Sequence, residues 1–166
     1  MKHSFAHILR LGSLSAVMLL CSACATTKNN GATRAWHGMK TVHNVYFNGQ
    51  IAYNDGLKAI DHAHQDDFSD VLMLYPVSDH QAAASSASEM DKAIEKCRKS
   101  IKLHSIHAKP KIKSDKLRDP KYKRWIENKE FNPQMYRAWL MLAQSEFHKG
   151  DFLGAVGTFS YVARLY

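Results

Sequence analysis

The closing run from Trp139 to Tyr166 is the part of this chain that most narrows what it can fold into. Trp139 and Leu142 lie three apart with small Ala143 beside them; Gly150-Asp151-Phe152 follows, and then Ala155 and Phe159 lie four apart. This spacing suits two helices joined by a glycine turn. Trp139 and Leu142 point into the partner helix, Ala143 is small where the helices cross, Gly150 turns the chain, and Ala155 and Phe159 share the facing side of the second helix. Phe152 follows the turn, and Pro133 stands just ahead of the unit.

In order and spacing these residues resemble the tetratricopeptide repeat (TPR), a helix pair of about 34 residues. A two-helix unit with one half-buried face cannot stand alone, so such units occur in stacks of about three or more. The expected fold is therefore all-α: TPR-like antiparallel helix pairs that begin a helical solenoid. One clear unit lies at 133–166 and stops short of the full repeat. The chain reads as the front of something longer, with Phe159, Val162, Leu165 and Tyr166 exposed at an unfinished end.

The N-terminus is of another kind. Lys2 and Arg10 precede Leu11-Gly-Ser-Leu-Ser-Ala-Val-Met-Leu-Leu20, an apolar run much shorter than the roughly 20 residues of a membrane-spanning helix. Residues 1–23 are read as a signal peptide. Cys21-Ser22-Ala23-Cys24 puts two small residues before a cysteine, resembling the lipobox of bacterial lipoproteins with Cys24 as the acylated residue; Cys21 stands where Leu is usual. A plain secretory signal is the other reading. Once the signal is removed Cys97 is the last thiol, so no intramolecular disulfide can form. Polar residues 24–32 suit a flexible tether. There is no Asp directly after Cys24, which under general lipoprotein sorting favours the outer membrane, facing the periplasm.

Residues 33–107 are expected to form a helical TPR-like region. Thr33 is a candidate N-cap for a helix of about five turns through Trp36, Met39, His43, Tyr46, Phe47, Gln50 and Ile51. Asp55-Gly56 is expected to break it, with a shorter helix after it carrying Leu57, Ile60 and Ala63. A third helix should start near Asp66-Asp67, carry Phe68, Val71, Leu72 and Tyr75 on one face, and end at Pro76. Residues 77–87 read as a loop. Ser88 and Asp91 form a weak capping box ahead of a helical stripe of Met90, Ala93, Ile94, Cys97, Ile101 and His104. Residues 108–132 form a basic connecting segment. Between Lys109 and Arg124 it holds eight basic and two acidic residues, with prolines at 110 and 120, and is expected to be exposed and mostly extended, with Trp125-Ile126 docking its end.

Further pieces carry a second resemblance: Arg34-Ala-Trp-His37, Tyr46-Phe-Asn-Gly49, Leu74-Tyr-Pro-Val77, Ile94-Glu-Lys96 through His104-Ser105, and Lys149-Gly-Asp-Phe152. With the lipobox and the repeat, they resemble the N-terminal part of the outer-membrane TPR lipoproteins of gliding motility and type IX secretion, the SprE/PorW type. The resemblance implies a periplasmic, lipid-anchored scaffold without catalytic residues, bound to other envelope proteins of a secretion machine. Family members are several times longer, so this sequence reads as a fragment or a truncated product.

His104 and His107, with His62 and His64, suggest a metal site, but no Cys, Asp or Glu joins them at ligand spacing, and packing or surface histidines are preferred. No metal and no cofactor is expected. The basic segment suits anionic lipid headgroups, lipopolysaccharide phosphates or an acidic protein better than nucleic acid, and a solvated loop is the plainest reading. Removing Lys2 and Arg10 lowers the formal charge from +8 to +6. Cys97 reads as a small core residue. No nucleophile with a base and no Gly-rich phosphate loop appears, so no enzyme is expected. Partner contacts are assigned to the first-helix positions not used in packing, Arg137, Met141 and Gln144, lining a concave groove. An envelope lipoprotein binding a small ligand or glycan is the alternative.

Overall fold

Asn30 starts the first helix. Its side-chain Oδ1 accepts from Thr33 N at 2.8 Å, so the cap lies three residues ahead of the expected one. In the computed structural model, which describes residues 26–69 and 71–166, α1 spans Gly31–Lys40 and α2 spans Phe47–Ala63. Thr41–Tyr46 joins them as a π-helical stretch, so the chain stays helical from Gly31 to Ala63. The expected signal peptide 1–23 and the expected lipidation residue Cys24 lie outside the described residues.

Asp55-Gly56 does not break this helix. A Cβ at Gly56 would lie 2.7 Å from Met90 Cε, and one at Gly49 would lie 2.7 Å from Met141 Cε. These glycines thus mark close approach to neighbouring helices, and the contact outweighs their low helix propensity of about 1 kcal/mol. The described residues between His64 and Tyr75 are irregular. The third helix expected there does not form. Asp67 Oδ1 accepts from both Ser69 N and Ser69 Oγ, a local turn that competes with helical hydrogen bonds. Phe68 is 84% exposed and Val71 90%, so no burial compensates for helix nucleation.

Helix α3 spans His80–His104. Asp79 caps it, its Oδ1 accepting from Gln81 N at 2.8 Å. The expected loop at 77–87 is thus mostly helix, and Ser88 lies inside it. The Ser and Ala residues serve close packing. Ala82, Ala83 and Ser86 are buried, and Ser86 Oγ donates to Ala83 O and His148 O. Met90, Ala93, Ile94 and Cys97 are buried along the same helix, the stripe that the periodicity indicates.

After α3, residues 105–132 leave and return. Pro120 sits at the first turn of α4, Pro120–Glu127, capped by Asp119, so the basic segment is helical over 120–127. Phe131 N donates to Ile106 O at 3.0 Å where the two ends meet. Helices α5, Met135–His148, and α6, Phe152–Leu165, then form an antiparallel hairpin. Its turn is a Schellman motif: Gly150 N donates to Phe147 O, Asp151 N to Glu146 O, and Gly150 has φ +88°.

Helix α3 lies between α2 on one side and α5 on the other, and α6 closes on α5. Two apolar clusters fill the seams. One gathers Ile60, Val77, Ala82, Ala83 and Met90; the other gathers Ile94, Cys97, Met141 and Leu142. Among the described residues the fold is all-α, with five helices packed against each other, compatible with a TPR-like arrangement. Among the described residues no helix is long and apolar enough to cross a membrane.

Candidate functional site

The repeat residues fall into two groups. Leu142, Ala143 and Ala155 are buried, and Trp139 packs on Tyr161 with ring centroids 4.7 Å apart, joining α5 to α6. Phe152 and Phe159 are exposed instead. Phe152 touches Phe147 at 5.4 Å, and Phe159 is 38% exposed at the hairpin edge. The side of α6 that faces α5 carries Ala155 and Val162, both buried, so of the expected open-end residues Val162 is covered. The large apolar side chains that α6 leaves most exposed are Leu153, at 90%, and Val156.

Buried polar groups that sequence reasoning missed fix the hairpin to the long helices. Glu146 Oε1 accepts from Arg98 Nη2 at 3.2 Å and its Oε2 from Thr158 Oγ1 at 2.6 Å, so one buried carboxylate ties α3, α5 and α6. Burial, with the charge of Glu146, pushes the Cys97 thiol up to about 12. Glu130 Oε1 accepts from the backbone N–H of Ile106, Phe131 and Asn132, at 2.9, 3.0 and 2.8 Å. Asn132 Nδ2 donates to Thr41 Oγ1 and His104 O, while its Oδ1 accepts from Gln134 N. The one sequence signal for this knot is Asn132-Pro133, a turn dipeptide before a helix.

A groove opens between α2 and α5. It has a volume of about 340 Å³ and is walled by Tyr46, Gln50 and Tyr53 on one side and Tyr136, Arg137 and Gln144 on the other. The Arg137 guanidinium lies 5.9 Å from the Tyr46 ring centroid and 5.8 Å from that of Tyr136, and its Nε donates to the Tyr136 hydroxyl at 3.1 Å. Tyr53 hydroxyl lies 3.3 Å from His148 Nδ1, and burial raises the Tyr53 pKa. Arg137 and Gln144 thus lie at the surface assigned to them. Met141 does not: it is buried in the core with its methyl against Gly49, and reaches the groove only as part of its floor.

The four histidines considered as ligands are separated. His104 meets His37 Nδ1 to Nδ1 at 3.0 Å, whereas His107 lies past the end of α3 with its Nδ1 2.9 Å from Lys129 O. His64, just beyond α2, pairs with Asp66 at 3.1 Å. Among the described residues no three His, Cys, Asp or Glu side chains gather where a metal could be held.

The described part of the tether is not loose. Asn29 Nδ2 donates to Ala108 O at 2.7 Å and Asn29 Oδ1 accepts from Arg34 Nη1 at 2.6 Å, which draws residues 27–31 against the basic segment. No protein-family model matches this chain, and no curated protein matches it.

Proposed function

We propose that this chain is a non-catalytic scaffold of the bacterial envelope, anchored in the outer membrane through lipid on Cys24 and facing the periplasm. It binds other envelope proteins of a secretion and gliding-motility machine, in the manner of the SprE/PorW-type lipoproteins that its motifs resemble. The observation that carries this reading is the groove between α2 and α5. Its walls include three tyrosines and an arginine, side chains that often dominate protein interfaces because they give large contact area with a polar tip. Grooves on stacked helix pairs select an extended or helical segment of a partner. The outward Leu153 and Val156 of α6 suit the packing of a further helix pair.

A photo-crosslinking amino acid placed at Gln144, in the native host, tests the groove. The reading expects discrete adducts with envelope proteins, lost when Tyr46 and Arg137 are replaced by Ala, and an intact mass carrying acyl chains on Cys24. Adducts no different from those formed at exposed Lys99 on α3 would remove the groove from the account. An unacylated mature chain would remove the anchor.

A further inference from the structure

A second and larger cleft, of about 840 Å³, lies between the start of α1 and the basic segment. Six cations line it, Lys28, Arg34, Lys109, Lys111, Lys113 and Lys116, and no acidic residue does. They come from parts of the sequence about eighty residues apart, joined by the Asn29 bond to Ala108. Two of the six are partly engaged. Lys109 Nζ donates to the carbonyls of Ile126, Glu127 and Asn128 at the end of α4, and Arg34 lies 5.0 Å from the Trp125 ring centroid while holding Asn29. Lys28, Lys111, Lys113 and Lys116 form no ion pair among the described residues.

The wall behind the cations is aromatic and braced. Tyr122 and Trp125 line the cleft, Trp125 packs edge-on against buried Phe131 at 5.6 Å, and the Tyr122 hydroxyl accepts from Lys113 N at 3.0 Å. The opening turn of α1 forms another edge. Gly31 has nothing within 4 Å of where a Cβ would stand, and the positive end of the helix dipole adds to the field. Like charges held this close repel one another, and a bound polyanion relieves that repulsion.

We propose that this cleft binds a phosphate ester: the phosphoryl group sits among Lys28, Lys111, Lys113 and Lys116, and the body of the ligand lies along Tyr122 and Trp125. The volume falls in the range of small-molecule sites. A phosphate monoester carries more charge than a carboxylate, a diester headgroup presents its single charge on two non-bridging oxygens, and the lysines meet either as point charges. The same chemistry is offered by a soluble sugar phosphate and by an anionic lipid headgroup. The site is separate from the α2/α5 groove and stands whether or not that groove holds a protein.

The test uses the full chain with three probes: glucose 6-phosphate by calorimetry, vesicles of phosphatidylcholine with phosphatidylglycerol by flotation, and a polyglutamate peptide. Binding of the sugar phosphate identifies a soluble ligand; flotation with phosphatidylglycerol but not with phosphatidylcholine alone identifies a headgroup; either supports the site. Lys111→Glu/Lys113→Glu/Lys116→Glu is expected to weaken that binding by at least about tenfold, and added salt should weaken it in the wild type. Lys99→Glu/Lys102→Glu on α3 changes charge away from the cleft and should leave binding intact. Circular dichroism on both variants keeps unfolding apart from loss of the site. Failure of both phosphate probes, equal binding of polyglutamate, or an equal loss in the α3 variant overturns the proposal.

Discussion

His37 and His104 face each other Nδ1 to Nδ1 at 3.0 Å, so one imidazole donates and the other accepts. Two protonated rings cannot share that bond. Burial, the facing His37 and nearby Lys40 together lower the His104 pKa.

Acid should therefore loosen the contact between α1 and α3. With a depressed folded-state pKa, the unfolded chain binds the proton more readily, so this contribution is fully present above the ordinary histidine value of about 6.5. It is lost as pH falls from there through the folded value. Thermal melts across that window should show a falling midpoint for the wild type and a flatter profile for His104→Gln. Parallel profiles would show that the pair is not the titrating element.

Glu130 is the acceptor for three backbone donors, and its removal should be costly. Phe131 N keeps Ile106 O as an acceptor, so Glu130→Ala orphans Ile106 N and Asn132 N; at about 1–3 kcal/mol for each buried N–H left without a partner, it should lower stability by about 2–6 kcal/mol in chemical denaturation. Glu130→Gln keeps an oxygen in place and is expected to lose much less. Equal losses would assign the role of Glu130 to its charge.

Two glycines of the hairpin should respond in opposite directions. Gly157 lies inside α6 with nothing within 4 Å of a built Cβ, so Gly157→Ala should stabilise by about 0.5–1 kcal/mol through helix propensity. Gly150 has φ +88° at the Schellman turn, and Gly150→Ala should destabilise by about 1 kcal/mol. Denaturation midpoints that move the same way would contradict the described turn.

Cys97 should be silent in the native protein. It is fully buried, and its thiol is pushed up to about 12 by burial and then by Glu146. The nucleophile is the thiolate, so alkylation mapped to Cys97 should be negligible at neutral pH and become rapid in denaturant. Fast native labelling would mean that the seam between α3 and α5 opens readily.

The hairpin was legible because its signals are local. Gly150 sits where only a left-handed residue fits, and small Ala143 sits where helices cross. The stripe from Met90 to Ile101 was legible for the same reason. Gly56 misled because its meaning is tertiary: the Met90 methyl fills the space beside it, and sequence alone shows only a helix breaker. The run from Phe68 to Tyr75 has helical spacing, yet Asp67 and Ser69 form a turn and Phe68, Val71 and Leu74 stay largely exposed. At the site, Arg137 and Gln144 could be placed from their register on α5. Met141 could not, because its burial depends on Gly49, more than ninety residues earlier. The basic cleft was invisible in the sequence as a cavity, since its two halves meet through long-range contacts, Asn29 with Ala108 and Arg34 with Trp125.

The wide turn at Thr41–Tyr46 gives the first long helix two separate aims. A regular helix advances by about 100° per residue, so the upstream and downstream faces of one rod are normally locked in phase. Here the surplus residue resets that phase, and His37 can point to His104 while Gly49 and Gly56 present their bare sides to Met141 and Met90. Removing one residue from this stretch would restore an even pitch and swing His37 out of alignment, whereas a deletion in the irregular chain near Val71 leaves both faces in step. The rod's tolerance to changes in length is thus set by this short stretch.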